Sequence, residues 1–359
     1  MHVRDSDDVL LSNTVITSNV RNNKDFSAFG GGGIRILDSD NIRLESVVIS
    51  DNESTKGGGI AIQSSDNTVI VDSQIIGNHV SEPDTPDSAG IPDGGGIRAT
   101  SVSFLTLQNT VVSSNTAGFR GGGIAFLSSS DLLIDSSTIS KNQASRGGGI
   151  YLGARFNTTT KSENVQIVNS TISRNVVKPF TFEFQFYGSY NAQGGGISAK
   201  YIDGVEIISS TINGNQALGA NAQSGGLHTE STSSNISLTN SIIANSRGQD
   251  CADGATSVDT VSVIEDGSCG ASRSGNPRIL ALTANGGPTF THALAENSIA
   301  RNSSVGTCTV TDQRGKKRDI SDGACDVGAF EFIEGLDDVD DTSFFVVPLK
   351  SGKSVIFGL

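Results

Sequence analysis

Apolar and polar residues alternate along much of the chain, as in Ile42-Arg43-Leu44 and Val165-Gln166-Ile167. A period of two is typical of a β-strand with one buried face, whereas the apolar spacing of about three to four residues that marks a helix is missing throughout. The pattern therefore predicts an all-β chain built from short strands.

An internal repeat organises these strands. Eight blocks of fifteen residues align without gaps, and each ends in Asn with Ile or Val three residues earlier: 5–19, 38–52, 64–78, 101–115, 128–142, 161–175, 201–215 and 231–245. Most blocks are followed by Gly-Gly-Gly-Ile, at 31–34, 57–60, 94–97, 121–124, 147–150 and 194–197, with a weaker Gly-Gly-Leu copy at 225–227. The tightest copies recur every 26 or 27 residues, which is enough for three short strands and three turns.

One repeat is too short to bury an apolar face alone. Coils stacked about 4.8 Å apart would bury Ile on Ile and Val on Val in continuous columns. The repeat thus predicts a parallel β-helix, a solenoid of about eight to nine coils. We expect the recurring Asn to form an amide ladder at one turn, and the Gly triplet to allow backbone angles or close approaches that a Cβ would forbid.

The chain resembles right-handed parallel β-helix repeat proteins, and its Gly-Gly-Gly-Ile and Ser-x-x-Asn rhythm is similar to that of chlamydial polymorphic outer-membrane proteins. Three segments beyond the repeats resemble the terminal module of bacterial choice-of-anchor Q proteins: Leu-Thr-Ala-Asn-Gly-Gly-Pro-Thr-Phe-Thr-His-Ala-Leu at 282–294, Asp-Gln-Arg-Gly at 312–315 and Cys-Asp-Val-Gly-Ala-Phe-Glu at 325–331. Residues 298–302 depart from the turn sequence expected there. The resemblance implies a right-handed β-helix and a secreted or surface protein, but no particular reaction.

These features divide the chain into β-helix repeats at 1–245, a C-terminal cap module at 246–332, and an acidic linker with a terminal β-hairpin at 333–359. In the hairpin, apolar runs 344–349 and 354–357 flank Lys-Ser-Gly-Lys. An isolated hairpin is marginal in water, so we expect it to dock on the solenoid or on a partner, including another copy of the chain. The first block starts with almost nothing before it, which leads us to expect a fragment of a longer exported precursor.

Charge narrows the choice of partners. The net charge is −13 and the pI is near 4.7. Nucleic-acid binding depends on concentrated Lys and Arg, so this balance argues against it. A polyanionic partner would need a local basic patch or a bridging cation. No apolar stretch approaches the roughly eighteen residues that a membrane-spanning helix needs.

All four cysteines lie beyond the repeats: Cys251, Cys269, Cys308 and Cys325. Four cysteines allow three pairings, and we favour the two sequential pairs, which would staple an irregular cap in an oxidising compartment. A zinc site is the alternative, although no closely spaced Cys pair supports it. We therefore expect a secreted or bacterial cell-surface protein.

Two long loops interrupt the coils at the same corner. The link from Asn to the Gly triplet expands to residues 79–93 in one coil and 176–193 in another, and the two loops are predicted to wall a groove. The first loop holds a candidate calcium-ligand set, with a merely solvated acidic loop as the alternative: Glu82, Asp84, Asp87 and Asp93. The second holds Phe180 and three more Phe at alternate positions, which favours packing, followed by Tyr187 and Tyr190 as candidates for stacking on a ligand sugar.

If Ile34 and its equivalents point inward, the next residues form an outward column: Arg35, Ala61, Arg98, Ala125, Tyr151, Ser198 and His228. Two residues further on lies a second column: Leu37, Gln63, Thr100, Leu127, Gly153, Lys200 and Glu230. Arg98 is a candidate ligand-binding residue. Tyr151, Lys200, His228 and Glu230 are candidate catalytic residues, because a Lys or His base, a Tyr acid and a charge-neutralising cation suit β-elimination of a uronate polysaccharide. The alternative is the ordinary polar exterior of a solenoid.

Three functions remain, in order of preference. The first is a non-catalytic secreted or cell-surface β-helix for adhesion or for matrix and surface architecture, in contact with glycans. The second is a polysaccharide lyase. The third is a self-assembling surface subunit joined through its open N-terminal coil and C-terminal hairpin. The expected partner is a polysaccharide or cell-surface component, and the expected cofactor is none, or Ca²⁺.

Overall fold

The computed structural model describes residues 1–21, 30–80, 91–155, 158–181, 189–252, 256–304, 306, 308–321 and 324–334, with the strand backbones 346–348 and 354–356. Over these residues the chain forms strands and turns and no helix. Three parallel sheets of nine strands each run the length of the solenoid. The protein is therefore an all-β, right-handed parallel β-helix, as the repeat predicts, and it has nine coils.

Each coil contributes one strand to each sheet. Sheet 1 follows the Gly triplets and consists of His2–Arg4, Ile34–Leu37, Ile60–Gln63, Ile97–Thr100, Ile124–Leu127, Ile150–Gly153, Ile197–Lys200, Leu227–Thr229 and Cys251–Ala252. Sheet 2 consists of Leu10–Ser12, Ile42–Glu45, Thr68–Val71, Ser103–Gln108, Ser130–Asp135, Ser162–Val168, Ile202–Ile208, Ser234–Thr239 and Thr256–Val258. Sheet 3 consists of Val15–Thr17, Val48–Ser50, Gln74–Ile76, Val111–Ser113, Thr138–Ser140, Thr171–Ser173, Thr211–Asn213, Ile242–Ala244 and Val263–Ile264.

Shorter pairs complete the topology. Two-residue strands at the Asn corner are Glu53–Ser54 with His79–Val80, and Gln143–Ala144 with Val176–Val177 and Gln216–Ala217. Antiparallel hairpins join Phe180–Thr181 to Ser189–Tyr190, Ile279–Thr283 to Thr291–Leu294, and Val346–Pro348 to Ser354–Ile356. The last pair lies within the two apolar runs from which the C-terminal hairpin is predicted, and the docking of that segment stays a prediction.

Equivalent positions pair from coil to coil, which builds the core. Ile34 pairs with Ile60 and Ile60 with Ile97 on sheet 1, while Ile49 pairs with Ile75 on sheet 3. All five side chains are fully buried. Strands with one face on this core show the alternating burial expected from the period of two.

The Asn ladder joins successive coils at the corner after sheet 3. Asn142 Nδ2 donates to Asn175 Oδ1 at 3.0 Å and to the Val112 carbonyl at 2.9 Å. Its own Oδ1 accepts from the backbone N–H and the side-chain amide of Asn115, at 2.9 and 3.0 Å. Each rung thus satisfies buried backbone groups that the turn leaves without sheet partners. The Asn prediction is confirmed for the rungs from Asn19 to Asn215.

The Gly triplet passes directly over this ladder. A Cβ on Gly123 would lie 2.6 Å from the Gly149 carbonyl oxygen and 3.0 Å from Asn142 Nδ2. Gly121, two residues earlier, has a φ of +62°, a left-handed conformation that other residues seldom adopt. Both reasons given for the triplet, close approach and special backbone angles, therefore apply.

The last repeat departs from the predicted alignment by one residue. Ile243, rather than Ile242, pairs with the inward Ile212, and Ile242 pairs with the outward Thr211. Asn245 is consequently exposed and lies outside the ladder. The block alignment, which places Ile242 in the inward column, is therefore wrong here. The sequence misleads because the outward position is also apolar: Ile242 is buried beneath the C-terminal module.

Both predicted disulfides are present, Cys251–Cys269 and Cys308–Cys325, so the cysteines are not arranged as zinc ligands. Cys251 is the buried first residue of the last strand of sheet 1, and Cys269 and Ala271 pack against the main core. This disulfide therefore closes the C-terminal end of the solenoid. The pairing is compatible with a secreted or surface location.

The rest of the C-terminal module lies along the flank of the solenoid, on the outer side of sheet 3. Gln313 Nε2 lies within 3.0 Å of Thr138 Oγ1 and Thr289 Oγ1, and its Oε1 accepts from Thr171 Oγ1 at 2.6 Å. Farther along, the Ala329 N–H donates to Thr211 Oγ1 at 3.0 Å. Of the predicted cap module, the part around Cys251 and Cys269 covers the C-terminal end of the solenoid. The rest lies on the outer side of sheet 3, where the outward Thr side chains provide hydroxyl groups for hydrogen bonds.

The motifs behind the family resemblance interlock inside this module. Arg314 Nε pairs with Asp312 Oδ2 at 2.8 Å, and Arg318 Nη1 pairs with Glu331 Oε2 at 3.0 Å, with all four side chains almost fully buried. The Glu331 N–H donates to Asp312 at 3.1 Å. Burial raises the pKa of Glu331 to about 7, with repulsion from Asp326 adding to the shift and the Arg318 pair opposing it. These motif residues are therefore structural.

Removing one rung from the middle of the ladder should cost far more stability than removing its exposed end. Asn142→Ala removes the acceptor of the Asn115 backbone N–H and of one side-chain N–H of Asn115, and it removes the donor to the Val112 carbonyl, so we expect the free energy of unfolding to fall by about 3 kcal/mol. Asn19 is exposed, and Asn19→Ala should cost less than about 1 kcal/mol. Urea unfolding measures both losses, and equal losses would contradict the structural role of the ladder.

Protonation of His292 should lower the stability of the C-terminal module. Its Nδ1–H donates to the Leu280 carbonyl at 2.6 Å, while Nε2 accepts from Asn213 Nδ2 at 3.2 Å and contacts Ser173 Oγ at 2.9 Å. Burial lowers the pKa of His292 to about 4 from about 6.5, and the Leu280 bond only partly opposes this shift. The unfolded chain thus binds the proton more readily, and stability is lost as the pH falls from about 6.5 to about 4.

The loss should reach up to about 3 kcal/mol in the wild type. It should be absent from His292→Gln, which has no group that titrates in this range. The difference between the two proteins in denaturant unfolding at several pH values isolates His292 from carboxyl groups such as Glu331, whose raised pKa acts in the opposite direction. Parallel curves for the two proteins would rule out this linkage.

Candidate functional site

Three outward columns run side by side along sheet 1 and the turn before it. The first column immediately precedes the Gly triplets and consists of Lys56, Asp93, Arg120, Arg146, Gln193 and Gln223. The other two are those predicted from the sequence, and the sheet register confirms them from Arg35 to His228. We call these columns, together with Arg155 in the segment after the sixth strand, the cationic face.

A buried ion pair anchors the centre of the cationic face. Arg120 binds Asp93 through two bonds, Nη2 to Oδ2 at 2.6 Å and Nε to Oδ1 at 2.9 Å. Its Nη1 donates to the Ala154 carbonyl at 3.0 Å, which ties down the segment that follows the sixth strand. Burial opposes the charged form of Arg120, but attraction and hydrogen bonds to Asp93 outweigh it and raise the pKa of Arg120.

This pair bears on the predicted calcium site. Both oxygens of Asp93 already serve Arg120, so this carboxylate is engaged as the partner of a guanidinium. The other three predicted ligands, Glu82, Asp84 and Asp87, lie outside the described residues. Within the residues that the structure describes, no group of three or more His, Cys, Asp or Glu side chains is placed to hold a metal ion.

Arg98 lies beside the pair and makes no side-chain hydrogen bond to any residue that the structure describes. It is 8% exposed, and its Nε is buried without a partner. Its neighbours in the column are Ala61 and Ala125, whose small side chains leave space on both sides. Burial lowers the pKa of Arg98 to about 10; Asp93 opposes this shift, while Arg120 and Arg155 add to it.

Tyr151 is a packing residue in this arrangement. Its side chain is 2% exposed and packs on Ala125 and Leu127. The guanidinium carbon of Arg120 lies 5.0 Å from its ring centroid. The predicted role of Tyr151 as an acid toward a bound polymer finds no support, because the ring is enclosed by protein.

Lys200 and Glu230 form an ion pair, with Nζ to Oε2 at 2.8 Å. Arg146 Nη1 is 3.7 Å from the other carboxylate oxygen of Glu230. The Lys200 side chain is 28% exposed, so this end of the face is open to solvent. The structure thus pairs two of the four predicted catalytic residues, and it holds Lys200 as the cation of that pair.

His228 completes the column two coils beyond Tyr151. It is 6% exposed, and both ring nitrogens are buried without a hydrogen-bond partner among the described parts of the chain. Burial lowers the pKa of His228, and Arg146 and Lys200 lower it further against the attraction of Glu230. A neutral imidazole at pH 7 has the chemistry of a general base, but both nitrogens of His228 are covered by protein in this structure.

The roots of the two long loops wall a groove, as predicted. It has a volume of about 300 Å³ and is lined on one side by His79 and Val80 and on the other by Lys178, Pro179 and Phe180. Residues 116–118 and 143–144 form its floor.

Phe180 also packs with Phe119 and Ile91, which supports the packing interpretation of the Phe row at the one position that is described. The ring of Tyr190 lies 4.7 Å from that of Phe119, centroid to centroid, and the Arg146 guanidinium is 5.3 Å from Tyr190. Tyr190 is therefore partly buried against protein. Tyr187 lies outside the described residues.

The sequence analysis missed the column before the Gly triplets. The sequence does contain a signal for this column, because a basic residue directly precedes three of the Gly triplets: Lys56, Arg120 and Arg146. The residue before a turn glycine carries no alternation, so the period of two could not assign it a direction. The stacked register shows that these residues share one surface.

A comparison with family models agrees with the fold. The family model described as a right handed beta helix region matches residues 1–160. The crystal structure of pectate lyase Pel9A is similar at 14% identity, with 84% of this chain and 70% of that chain covered and a TM-score of 0.44. PfbA, a surface adhesin of Streptococcus pneumoniae, is similar at 14% identity, with 80% and 78% covered and a TM-score of 0.29.

No curated protein matches the chain. The resemblance of the terminal module to choice-of-anchor Q proteins stays a prediction. Within the described residues, none of the secondary structure is a helix long and apolar enough to cross a membrane.

Proposed function

We propose that the protein is a non-catalytic secreted or cell-surface β-helix that contacts an acidic glycan through its cationic face, in adhesion or in surface architecture. The observation that carries the proposal is the concentration of positive charge on one face of a chain whose net charge is −13. The cations of the face are Arg35, Lys56, Arg98, Arg120, Arg146, Arg155 and Lys200. The carboxylates within the same columns are Asp93 and Glu230, and both are paired.

The shape of the face suits a polymer. Outward columns repeat at the strand spacing of about 4.8 Å, so cations on successive coils present a row of sites along the solenoid axis. A chain with one acid group per sugar can contact several of them at once, and linked weak contacts add up to useful affinity. The negative charge elsewhere on the protein would keep binding confined to this face.

Binding should be selective for acidic polymers and sensitive to salt. In affinity electrophoresis, we expect retardation by polygalacturonate and none by dextran, and we expect retardation to fall steeply as salt rises from about 0.05 to about 0.5 M, because exposed charges are screened. Arg146→Gln should weaken binding to polygalacturonate by about fivefold, since it removes a charge-assisted contact.

Arg43 is the matched control, because it is an exposed arginine on sheet 2, away from the cationic face. Arg43→Gln should leave the retardation unchanged. Equal losses in the two variants, or equal retardation by dextran, would count against a binding role for the cationic face.

A second function, β-elimination of a uronate polymer, is suggested by the neutral His228, and it requires that binding of the polymer uncovers one of the buried ring nitrogens. In that reaction the neutral imidazole takes the proton next to the sugar carboxylate, the bond to the leaving sugar oxygen breaks, and a carbon–carbon double bond forms. Arg146 and Lys200 are placed to neutralise the carboxylate. Because Tyr151 is enclosed, the leaving oxygen would take its proton from water.

This second function predicts unsaturated sugar ends, followed by ultraviolet absorbance during incubation with polygalacturonate. His228→Gln should lower the rate of their formation by about 100-fold or more. His79→Gln, in the separate groove between the loop roots, should have no effect. An absence of unsaturated ends on all uronate polymers, from a protein that still binds them, would leave the non-catalytic function alone.

A further inference from the structure

The centre of the cationic face holds three cations and one carboxylate, Asp93, which is paired with a fourth cation, Arg120. Arg98 and Lys56 lie on neighbouring coils, and Arg155 follows the sixth strand. None of the three side chains makes a hydrogen bond or ion pair to a described residue. Asp93, the carboxylate beside them, is fully used by Arg120.

The three cations are close enough to perturb each other. Burial lowers the pKa of Lys56, and the charge of Arg98 lowers it further, with Arg155 acting in the same sense. The charges of Arg120 and Arg155 likewise oppose the charge of Arg98. A buried guanidinium among like charges is costly unless an anion joins it.

Small neighbouring residues leave space around the Arg98 side chain. Ala61 and Ala125 flank Arg98 along the column, and Gly94 lies against the base of its side chain, where a Cβ would come within 2.7 Å of the Arg98 Cβ. Arg120 is held back by its two bonds to Asp93 and by the Ala154 carbonyl. The ion pair therefore positions the surroundings of Arg98 without supplying it with an acceptor.

We propose that Arg98, Lys56 and Arg155 form a subsite for one oxyanion group, the carboxylate or sulfate of an acidic sugar. The planar fork of Arg98 can donate two parallel hydrogen bonds to such a group, and Lys56 and Arg155 add charge from either side. The inference rests on the proposed glycan-binding function and assigns its central contact to Arg98.

The test uses the full chain and two readouts. Isothermal titration calorimetry with tri-galacturonate and with a sulfated trisaccharide measures sugar binding, and a neutral trisaccharide of the same size is the control ligand. Thermal unfolding with sodium acetate or sodium sulfate, against sodium chloride at equal ionic strength, measures occupation of the subsite by a small anion. Comparison of the two acidic sugars decides between carboxylate and sulfate.

Arg98→Gln should weaken binding of the preferred acidic sugar by at least tenfold and abolish the extra thermal stabilisation by the matching small anion. Arg146→Gln, on the same face but outside the subsite, should lower sugar affinity less and keep that stabilisation. Arg43→Gln should change neither. If Arg98→Gln does not fold, Arg155→Gln at the exposed edge of the subsite serves in its place, with an expected loss of about fivefold.

The outcomes separate the subsite from the wider function. Sugar binding that survives Arg98→Gln but is lost in Arg146→Gln would overturn the subsite and keep the glycan-binding face. Stabilisation by small anions that depends on Arg98, in a protein that binds no acidic sugar, would support an anion site and overturn the proposed function. Equal stabilisation of the wild type and Arg98→Gln by acetate and sulfate would overturn the subsite.

Discussion

The structure depends on one constraint, which is that every coil must place the same backbone groups directly above those of the coil before it. The Asn ladder enforces this register, because Asn142 bonds at once to the rung on either side and to the Val112 carbonyl. A coil shifted by one residue would break all of these bonds and turn its inward Ile to solvent. The Gly triplet follows from the same constraint, since only a residue without Cβ fits beside the ladder and the next coil's carbonyl.

Strict stacking converts the outer surface into columns, and columns bring like charges together. Lys56, Arg98, Arg120 and Arg155 come together in this way, although they are far apart along the chain. The protein resolves part of this repulsion internally, through the buried Arg120–Asp93 pair and the rings of Phe119 and Tyr151 beside Arg120. It leaves Arg98 without an acceptor, and this imbalance, more than the fold, distinguishes the cationic face from an ordinary solenoid exterior.

The C-terminal module is attached to the side of the solenoid by polar and apolar contacts. It holds two buried ion pairs, Asp312–Arg314 and Arg318–Glu331, and it shares an apolar cluster with Ile242 and Ala244 of the solenoid. Gln313 then reaches out of the module to hydroxyls on two coils of sheet 3. The outward Thr residues of sheet 3 bind the module through their hydroxyl groups. The module therefore stabilises the middle coils of the solenoid as well as its C-terminal end.

The sequence by itself determined the coil. Its period of two, its recurring Asn and its Gly triplets all express contacts between neighbours in a regular stack, and such contacts repeat in the sequence as they do in space. It also determined both disulfides, the two outward columns of sheet 1 and the groove between the loop roots. It missed the column before the triplets, because the residue before a turn has no alternation to fix its direction. It also missed the register of the last coil, because Ile242 and Ile243 are both apolar and either could face the core.

Only the tertiary structure decided which outward residues are available. Tyr151, Lys200, His228 and Glu230 share one surface as the columns predict, yet Tyr151 is enclosed beneath Arg120 and Lys200 is paired with Glu230. Asp93 likewise serves a guanidinium. The Asp93–Arg120 and Lys200–Glu230 pairs join neighbours on successive coils, and Arg120 is further held by the Ala154 carbonyl, which belongs to a segment outside the repeat. A period of two gives the direction of a side chain, but burial and pairing of a charge depend on which particular side chains lie next to it on the neighbouring coils, and the periodic pattern does not specify them.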